Sequence, residues 1–346
     1  MSGPVRVLQS FGSPGPKSNP YVVQLVRALE SEGIAVRYFS WKTAFSGKYD
    51  VFHIHWPEQL YARRRRIGTA WALLGLITLL FTLRVRRIPV VRTLHNQAPH
   101  DVRGKVHRFA YRAVERSTRV TIVLDKAHLL DVARQVAIPH GHYIDWMSAY
   151  PKKRVQPNRV LFFGLIRPYK NVESLISAFG GVHTDGAALE IVGQPATRAY
   201  GEAIIKLAHR NHGITVRLKY VDDADLVSEI TRSQLIVLPY GDLYNSGSLI
   251  LALSLKRPVL VPDSPIARSI AAEVGDGWIT LYSGELSSSA LESALEDRKI
   301  DSGNDAPDLT ERSWADAGKH HSRLYRRVLG KLTRNGGGES AMASNV

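Results

Sequence analysis

The chain has 346 residues, 44% hydrophobic and 22% charged, with 46 Lys and Arg against 31 Asp and Glu and no cysteine. This is a folded chain long enough to bury two cores, which excludes general disorder. The missing cysteine excludes disulfide scaffolds, thiolate metal sites, cysteine nucleophiles and thiol switches, and it fits a reducing compartment.

In chain order, Val5–Leu8 reads as a strand. A helix is predicted over Asn19–Glu32, with Val22, Val23, Val26 and Leu29 at helical spacing and a stop at Gly33. Ile34–Phe39, Val51–His55, Pro89–Leu94 and Val120–Leu124 read as strands, with helices over 67–83, 101–116 and 126–135. Residues 151–158, PKKRVQPN, have the composition of a linker. The plan then repeats. Strands fall at Val160–Phe163, Leu189–Val192, Val216–Leu218, Leu235–Leu238 and Pro258–Val261, and helices at 171–180, 199–211, 223–232, 247–255, 264–273 and 287–297. The fold class expected is α/β, with two Rossmann-like doubly wound domains over 1–150 and 159–310. A basic helix over 311–332 is able to pack back on the first domain, and 333–346 reads as a disordered tail. The opening MSGPVRVLQSFGS lacks the pattern of a secretory signal.

The charge is uneven. Residues 1–158 hold 25 Lys and Arg against 9 Asp and Glu, while residues 159–346 hold 21 against 22. The first half is therefore expected to face something anionic: nucleic acid, a membrane or an acidic glycan. Arg63, Arg64, Arg65 and Arg66 precede the uncharged run IGTAWALLGLITLLFTL, and Arg84, Arg86 and Arg87 close it. A transmembrane span needs about 20 apolar residues, and a span here would interrupt a parallel sheet. A buried crossover helix accounts for the apolar content but not for the arginines. A third reading is a helix that packs on the sheet and lays Trp71, Leu74 and Phe81 in a bilayer surface while the arginines meet phosphates. The arginines flank an apolar run and do not interleave with aromatics, so no nucleic-acid partner is expected.

Chemistry is expected beyond the carboxyl ends of the strands, where open parallel sheets bind ligands. His95 follows the fourth strand directly, and His100 and Asp101 come soon after. A lone histidine is more often structural, but this one stands at a strand end. Asp101 is most simply a helix N-cap. His53 and His55 share one face of the third strand; with no metal-ligand spacing nearby they read as packing or acceptor contacts. In Phe163–Asn171, Gly164 allows a tight turn and places Arg167 and Lys170 where they suit a diphosphate, a solvated loop pair being the alternative. Asn245, Ser246, Gly247 and Ser248 open an apolar helix, either as an anion site or as plain N-capping. Asp223-Ala224-Asp225 opens a helix, where acidic residues belong, so no metal site is read there.

Taken together these landmarks resemble the GT-B fold glycosyltransferases, in particular family 4-like enzymes, over roughly residues 5–330. The pieces that carry the likeness are Asn19-Pro20-Tyr21, the stretch from Asp50 to Pro57, Pro89 to His95, Ile138-Pro139-His140-Gly141, Gly164 to Lys170, and Leu251 to Val259. The resemblance implies two domains facing a central cleft, with a nucleotide sugar, GDP- or UDP-linked, held by the second domain and an acceptor by the first. It implies that His95 is the catalytic-site histidine at the donor sugar. Gly164, Arg167, Lys170, Gly247 and Ser248 then hold the diphosphate, and Asn245 and Ser246 meet the nucleotide or sugar. Gly12, His55 and His100 fall on the acceptor side. Metal ions and cofactors are not expected. Two departures stand out: Leu165 occupies the place of the family arginine, and the paired glutamates are replaced by Leu243 and Leu251. The Asn245–Ser248 variant, with His53, His55, Trp56, Pro57 and Glu58, is similar to exopolysaccharide mannosyltransferases of the GumI type.

The activity expected is transfer of a hexose, mannose from GDP-mannose being the candidate, to a lipid-linked or polysaccharide acceptor. The enzyme would sit peripherally on the cytoplasmic face of the membrane. The rival readings are an epimerase or phosphorylase of the same fold, which the need for an acceptor separates, and a basic nucleic-acid-binding protein.

Overall fold

A computed structural model of the chain describes residues 3–15, 18–62, 66–95, 104–131, 133–241, 247–296 and 306–336. The chain divides into two compact units, Met1–Pro139 with Trp314–Val346, and His140–Ser313.

The first unit holds strands β1 (Arg6–Gln9), β2 (Ala35–Tyr38), β3 (Val51–Ile54), β4 (Val90–Leu94), β5 (Thr118–Val123) and β6 (Gln135–Ala137). They form one sheet in the order β2-β1-β3-β4-β5-β6, every neighbouring pair parallel. Its helices are α1 (Pro20–Ser31), α2 (Trp41–Ser46), α3 (Pro57–Tyr61), α4 (Arg66–Val85) and α5 (Lys105–Ser117). Strand order reverses direction between β1 and β3, which marks that interior pair as the sheet's topological switch point.

The second unit holds α6 (Ile144–Met147), α7 (Val172–Phe179), α8 (Arg198–Ala208), α9 (Asp223–Arg232), α10 (Gly247–Ser254), α11 (Pro265–Val274) and α12 (Ser288–Glu296). Its strands are β7 (Arg159–Phe163), β8 (Ala188–Val192), β9 (Ile214–Arg217), β10 (Leu235–Val237), β11 (Val259–Pro262) and β12 (Ile279–Tyr282). They too are all parallel, in the order β9-β8-β7-β10-β11-β12. Counted from its own first strand this is the 3-2-1-4-5-6 order of nucleotide-binding sheets, with its switch point between β7 and β10. Strand β7 is buried along its whole length, as a central parallel strand covered on both faces must be.

Local chemistry sets the helix ends. Asn19 Oδ1 accepts from the Tyr21 amide at 3.0 Å and Pro20 occupies the first turn of α1, so the helix starts there. Asp222 Oδ1 accepts from the Asp225 amide at 2.9 Å and caps α9, while Asp223 Oδ2 accepts from Trp146 Nε1 at 2.8 Å. Asp223 and Asp225 both lie in the first turn of α9, where acidic residues favour the helix dipole.

Two expectations are corrected. The helix over 126–135 is instead a 3-10 turn at Lys126–His128 followed by β6. Asp125 Oδ1 accepts from the Ala127 amide at 2.9 Å and closes the chain locally, and Gln135 then pairs with Thr121. Residues 151–158 do not join the units. The Lys153 amide donates to Thr231 Oγ1 and the Gln156 amide to the Arg232 carbonyl, which ties this stretch to the second unit. The chain crosses between units at Pro139/His140 and again at Ser313/Trp314.

The closing helix, α13 (Trp314–Gly336), belongs to the first unit. Ala317, Leu324, Tyr325 and Val328 enter the core with Tyr21, Val22 and Leu25 of α1. The crossing depends on Gly318, because a Cβ there would overlap the Ala28 carbonyl.

Helix α4 is two-faced. Leu76, Leu79 and Leu83 are buried in the core beside Phe52 and Ile54. On the other face Ile67, Trp71, Leu74, Phe81 and Val85 are exposed, Trp71 at 70% and Phe81 at 66%. The spacing of 67, 71, 74, 81 and 85 is that of one helical stripe. Ile67–Val85 is long and apolar enough to cross a membrane by length and composition, and its buried face packs on the sheet of the first unit. Of the arginines expected at a membrane, Arg63, Arg64 and Arg65 lie outside the described residues. Arg84 and Arg87 are exposed. Arg86 Nη1 donates to the Phe45 carbonyl at 3.0 Å and so closes the end of α2.

Candidate active site

The second unit gathers a buried cation, two glycines and a helix start at its switch point. Strand β7 ends at Phe163, and Gly164 follows with φ +105°. Arg167 then leads into a 3-10 turn, Pro168–Lys170, which folds Lys170 back under the strand end. Lys170 is 8% exposed. Its Nζ donates to Tyr240 Oη at 2.9 Å and stands 4.5 Å from the Tyr240 ring centre. Among the described residues no carboxylate pairs with it. A buried ammonium held only by a phenol and a ring is costly unless an anion completes it.

Three further groups converge there. The position a Cβ would take on Gly164 lies 3.5 Å from Lys170 Nζ and 3.8 Å from Ser248 Oγ, so a side chain at 164 would fill the space between them. Gly193, at the end of β8, has φ +155°, and a Cβ there would overlap the Gly164 carbonyl. Gly247 and Ser248 form the first turn of α10, whose leading amides have no helical partner. The sequence reading grouped Gly164, Arg167, Lys170, Gly247 and Ser248. The structure brings Gly164, Lys170 and Ser248 together and sets Arg167 at the start of the turn that carries Lys170. Asn245 and Ser246 lie outside the described residues.

Tyr240 and Tyr143, to which the sequence gives no signal, support this site, and His140 stands beside Tyr143. Tyr240 follows β10 and carries no motif, so only the sheet order discloses its place over Lys170. Tyr143 and His140 back the first turn of α10, standing 3.2 and 3.7 Å from the Cβ position of Gly247. The Tyr143 amide also donates to Ser254 Oγ at 2.9 Å. Burial drives His140 down to about 4, so it is neutral at pH 7, with Nδ1 donating to the Gly141 carbonyl at 2.8 Å.

The first unit carries a buried histidine cluster at its own switch point. Gln9 ends β1, His53 and His55 lie on and just after β3, and His95 follows β4. The Ser10 amide donates to the His53 carbonyl at 2.9 Å and the His55 amide to Ser10 Oγ at 3.0 Å, locking the two strand ends. His55 Nε2 meets Gln9 Oε1 at 3.0 Å, and His55 Nδ1 meets His95 Nε2 at 3.1 Å. An amide oxygen can only accept, so His55 donates from Nε2. Its Nδ1 then accepts, and His95 must carry its hydrogen on Nε2. His53 is held the same way, between Tyr325 Oη and Thr93 Oγ1, both at 2.8 Å.

Burial first, then the neighbouring histidines, pushes both His53 and His55 well below their usual range, so both are neutral at pH 7. His95 is gripped as a ring: Trp56 stacks on it at 4.3 Å and Tyr21 meets it edge-on at 5.1 Å. His55, expected on the acceptor side, is 1% exposed and hydrogen-bonded to His95. Gly12, just after β1, is exposed, with nothing within 4 Å of its Cβ position. His100 and Asp101 lie outside the described residues. No group of three His, Asp or Glu side chains among the described residues is arranged to hold a metal ion.

Comparison with known proteins gives the family and the fold. No family model matches the sequence. The GDP-mannose:glycolipid 4-beta-D-mannosyltransferase of Xanthomonas campestris pv. campestris is 39% identical over 327 residues, covering 94% of this chain and 93% of the relative. Among solved structures, Anabaena HepE in complex with UDP superposes with a TM-score of 0.60 at 14% identity, covering 96% of this chain and 99% of that one. The catalytic domain of starch synthase IV from Arabidopsis thaliana, bound to ADP and acarbose, gives 0.62 at 11% identity, covering 95% and 100%. The structural likeness establishes the fold and the sequence likeness the family: the chain is a GT-B glycosyltransferase and belongs to the family of the Xanthomonas mannosyltransferase.

Proposed function

We propose that the enzyme transfers mannose from GDP-mannose to a glycolipid acceptor at the cytoplasmic face of a membrane. The observation that carries the donor half of this reading is the buried ammonium of Lys170, without a described carboxylate, at the β7/β10 switch point. A sugar-nucleotide diphosphate supplies the missing negative charge. Lys170, the Ser248 hydroxyl and the amides opening α10 would bear it, and Arg167 adds a second cation. The same groups serve catalysis, because charge grows on the diphosphate as the bond to the sugar breaks.

The acceptor and the base follow from the 39% identical relative, whose own donor is GDP-mannose and whose acceptor is a glycolipid. GDP-mannose carries its sugar α-linked, so a β-linked product means inversion. The acceptor oxygen bonds to C1 while the bond from C1 to the diphosphate oxygen breaks; the electron pair leaves with GDP and the acceptor hydroxyl loses its proton. In the first unit His95 is the group proposed to hydrogen-bond the reacting sugar, its ring fixed by Trp56, Tyr21 and His55. No cofactor is proposed, the sugar nucleotide being a substrate. The exposed stripe of α4 supports work at a lipid surface.

Thermal shift with GDP, UDP and ADP tests the donor. A ligand at a hundred times its Kd stabilises by about 2.7 kcal/mol. GDP is expected to raise the melting temperature most; a shift with UDP and none with GDP would refute the donor assignment.

A further inference from the structure

Helices α4 and α5 flank a groove of about 590 Å³, lined by arginines over an apolar floor and sharing no residue with either candidate site. Arg84 comes from α4. Arg108, Arg112 and Arg116 come from α5 at i, i+4 and i+8, which sets them in a row along one helix face. Phe81 and Phe109 line the same groove and are 66% and 55% exposed. No carboxylate lines it, and none of the four arginines makes an ion pair among the described residues. Four like charges on one groove repel one another unless an anion joins them, and exposed aromatic rings beside them are not explained by free phosphate or by water.

We infer that this groove takes the phosphate headgroups of anionic bilayer phospholipids, with Phe81, Phe109 and the α4 stripe entering the interface beside them. The inference rests on the reading that the enzyme meets its acceptor at a membrane, and it adds the lipid class that holds it there. The chemistry of the two walls is complementary to that ligand. Guanidinium forks bind phosphate oxygens bidentately, and aromatic rings favour the headgroup level. The stripe of Trp71 and Phe81 on α4 is continuous with the groove, because Phe81 belongs to both. The row on α5 gives the first unit's positive surplus a specific use. A helix with apolar residues alone would bind any bilayer, whereas this arrangement selects an anionic one.

The test uses the full chain in vesicle co-sedimentation at physiological salt. Vesicles are phosphatidylcholine alone or phosphatidylcholine with phosphatidylglycerol. Each basic residue near an anionic surface contributes about a fivefold factor in binding, so Arg108→Gln/Arg112→Gln is expected to weaken binding to the anionic vesicles about thirtyfold. Binding to neutral vesicles should change little. Trp71→Ala should weaken binding to both compositions. GDP-induced thermal stabilisation, expected unchanged in each variant, shows that the variants fold. If the arginine pair leaves anionic-vesicle binding intact while Trp71→Ala abolishes it, the groove assignment fails and the membrane reading stands. If the wild-type chain binds no vesicle, both fail, and salt-dependent binding to DNA lost in the arginine pair would then reassign the groove to nucleic acid.

Discussion

Lys170→Met separates the two costs that meet at one atom. In the folded unit the ammonium is 8% exposed, 2.9 Å from a phenol oxygen and 4.5 Å from a ring centre, with no described carboxylate beside it. Replacing it by an apolar side chain of similar length removes a buried charge, which is neutral or stabilising when the site repacks. The melting temperature should therefore hold or rise. The loss appears only with the donor. A hydrogen bond to a charged group is worth about 1.5–3 kcal/mol, or roughly 10- to 150-fold in affinity for GDP. Removing a donor that meets charge developing in the transition state costs about 10²–10³ in kcat. The assays are thermal unfolding with and without GDP and steady-state transfer from the sugar nucleotide. Unfolding of the variant at lower temperature together with undiminished GDP affinity would refute the reasoning, since it would make Lys170 a structural residue.

Gly193→Ala should destabilise the second unit by several kcal/mol and abolish the GDP-induced shift, because the new Cβ overlaps the Gly164 carbonyl at a backbone φ of +155°; wild-type melting would contradict this. His55→Phe removes the acceptor for His95 Nε2–H while keeping a buried ring, so it should lower kcat with little effect on GDP binding, and an unchanged pH profile and kcat would count against the Gln9–His55–His95 chain. Acid should destabilise both units. Burial depresses His321 in the first and His140 in the second to about 4, so the unfolded chain binds more protons. That stability is complete above pH 6.5 and falls by about 1.4 kcal/mol per pH unit for each as pH drops towards 4, which pH-dependent denaturation would measure. Glu229 adds to the loss at lower pH. It is buried, and although burial alone would raise it, hydrogen bonds from Arg217 and Arg232 hold it below its usual value. Glu229→Gln should cost about 3–5 kcal/mol, since Arg159, Arg217 and Arg232 would lose their shared carboxylate.

Strands such as Arg159–Phe163 were legible because a parallel strand covered on both faces must read as an apolar run. The helix start at Asn19 was legible from apolar spacing, and that at Asp223 from acidic residues in a first turn. The 126–135 stretch was not, since its apolar residues suit a helix and only pairing with β5 makes 135–137 a strand. The anion site was half visible. Gly164 and Lys170 lie in one short turn, whereas Tyr240 and Tyr143 reach the same place from other elements and carry no pattern of their own. The histidine cluster shows the same limit. The alternation of His53 and His55 puts them on one face, but their neutrality comes from burial beneath α13, a helix some 270 residues downstream whose Tyr325 binds His53. The row of arginines on α5 was hidden for another reason: Arg108, Arg112 and Arg116 form one patch with Arg84 only once α5 packs beside α4.

The central claim is met most directly by incubating the enzyme with radiolabelled GDP-mannose and a glycolipid acceptor, extracting the lipid phase and determining the anomeric configuration of the new linkage. Label should enter the lipid only when the acceptor is present, as a β-linked mannose with GDP released in equal amount. Label that never reaches the acceptor, or donor converted to another sugar nucleotide without it, would contradict the assignment.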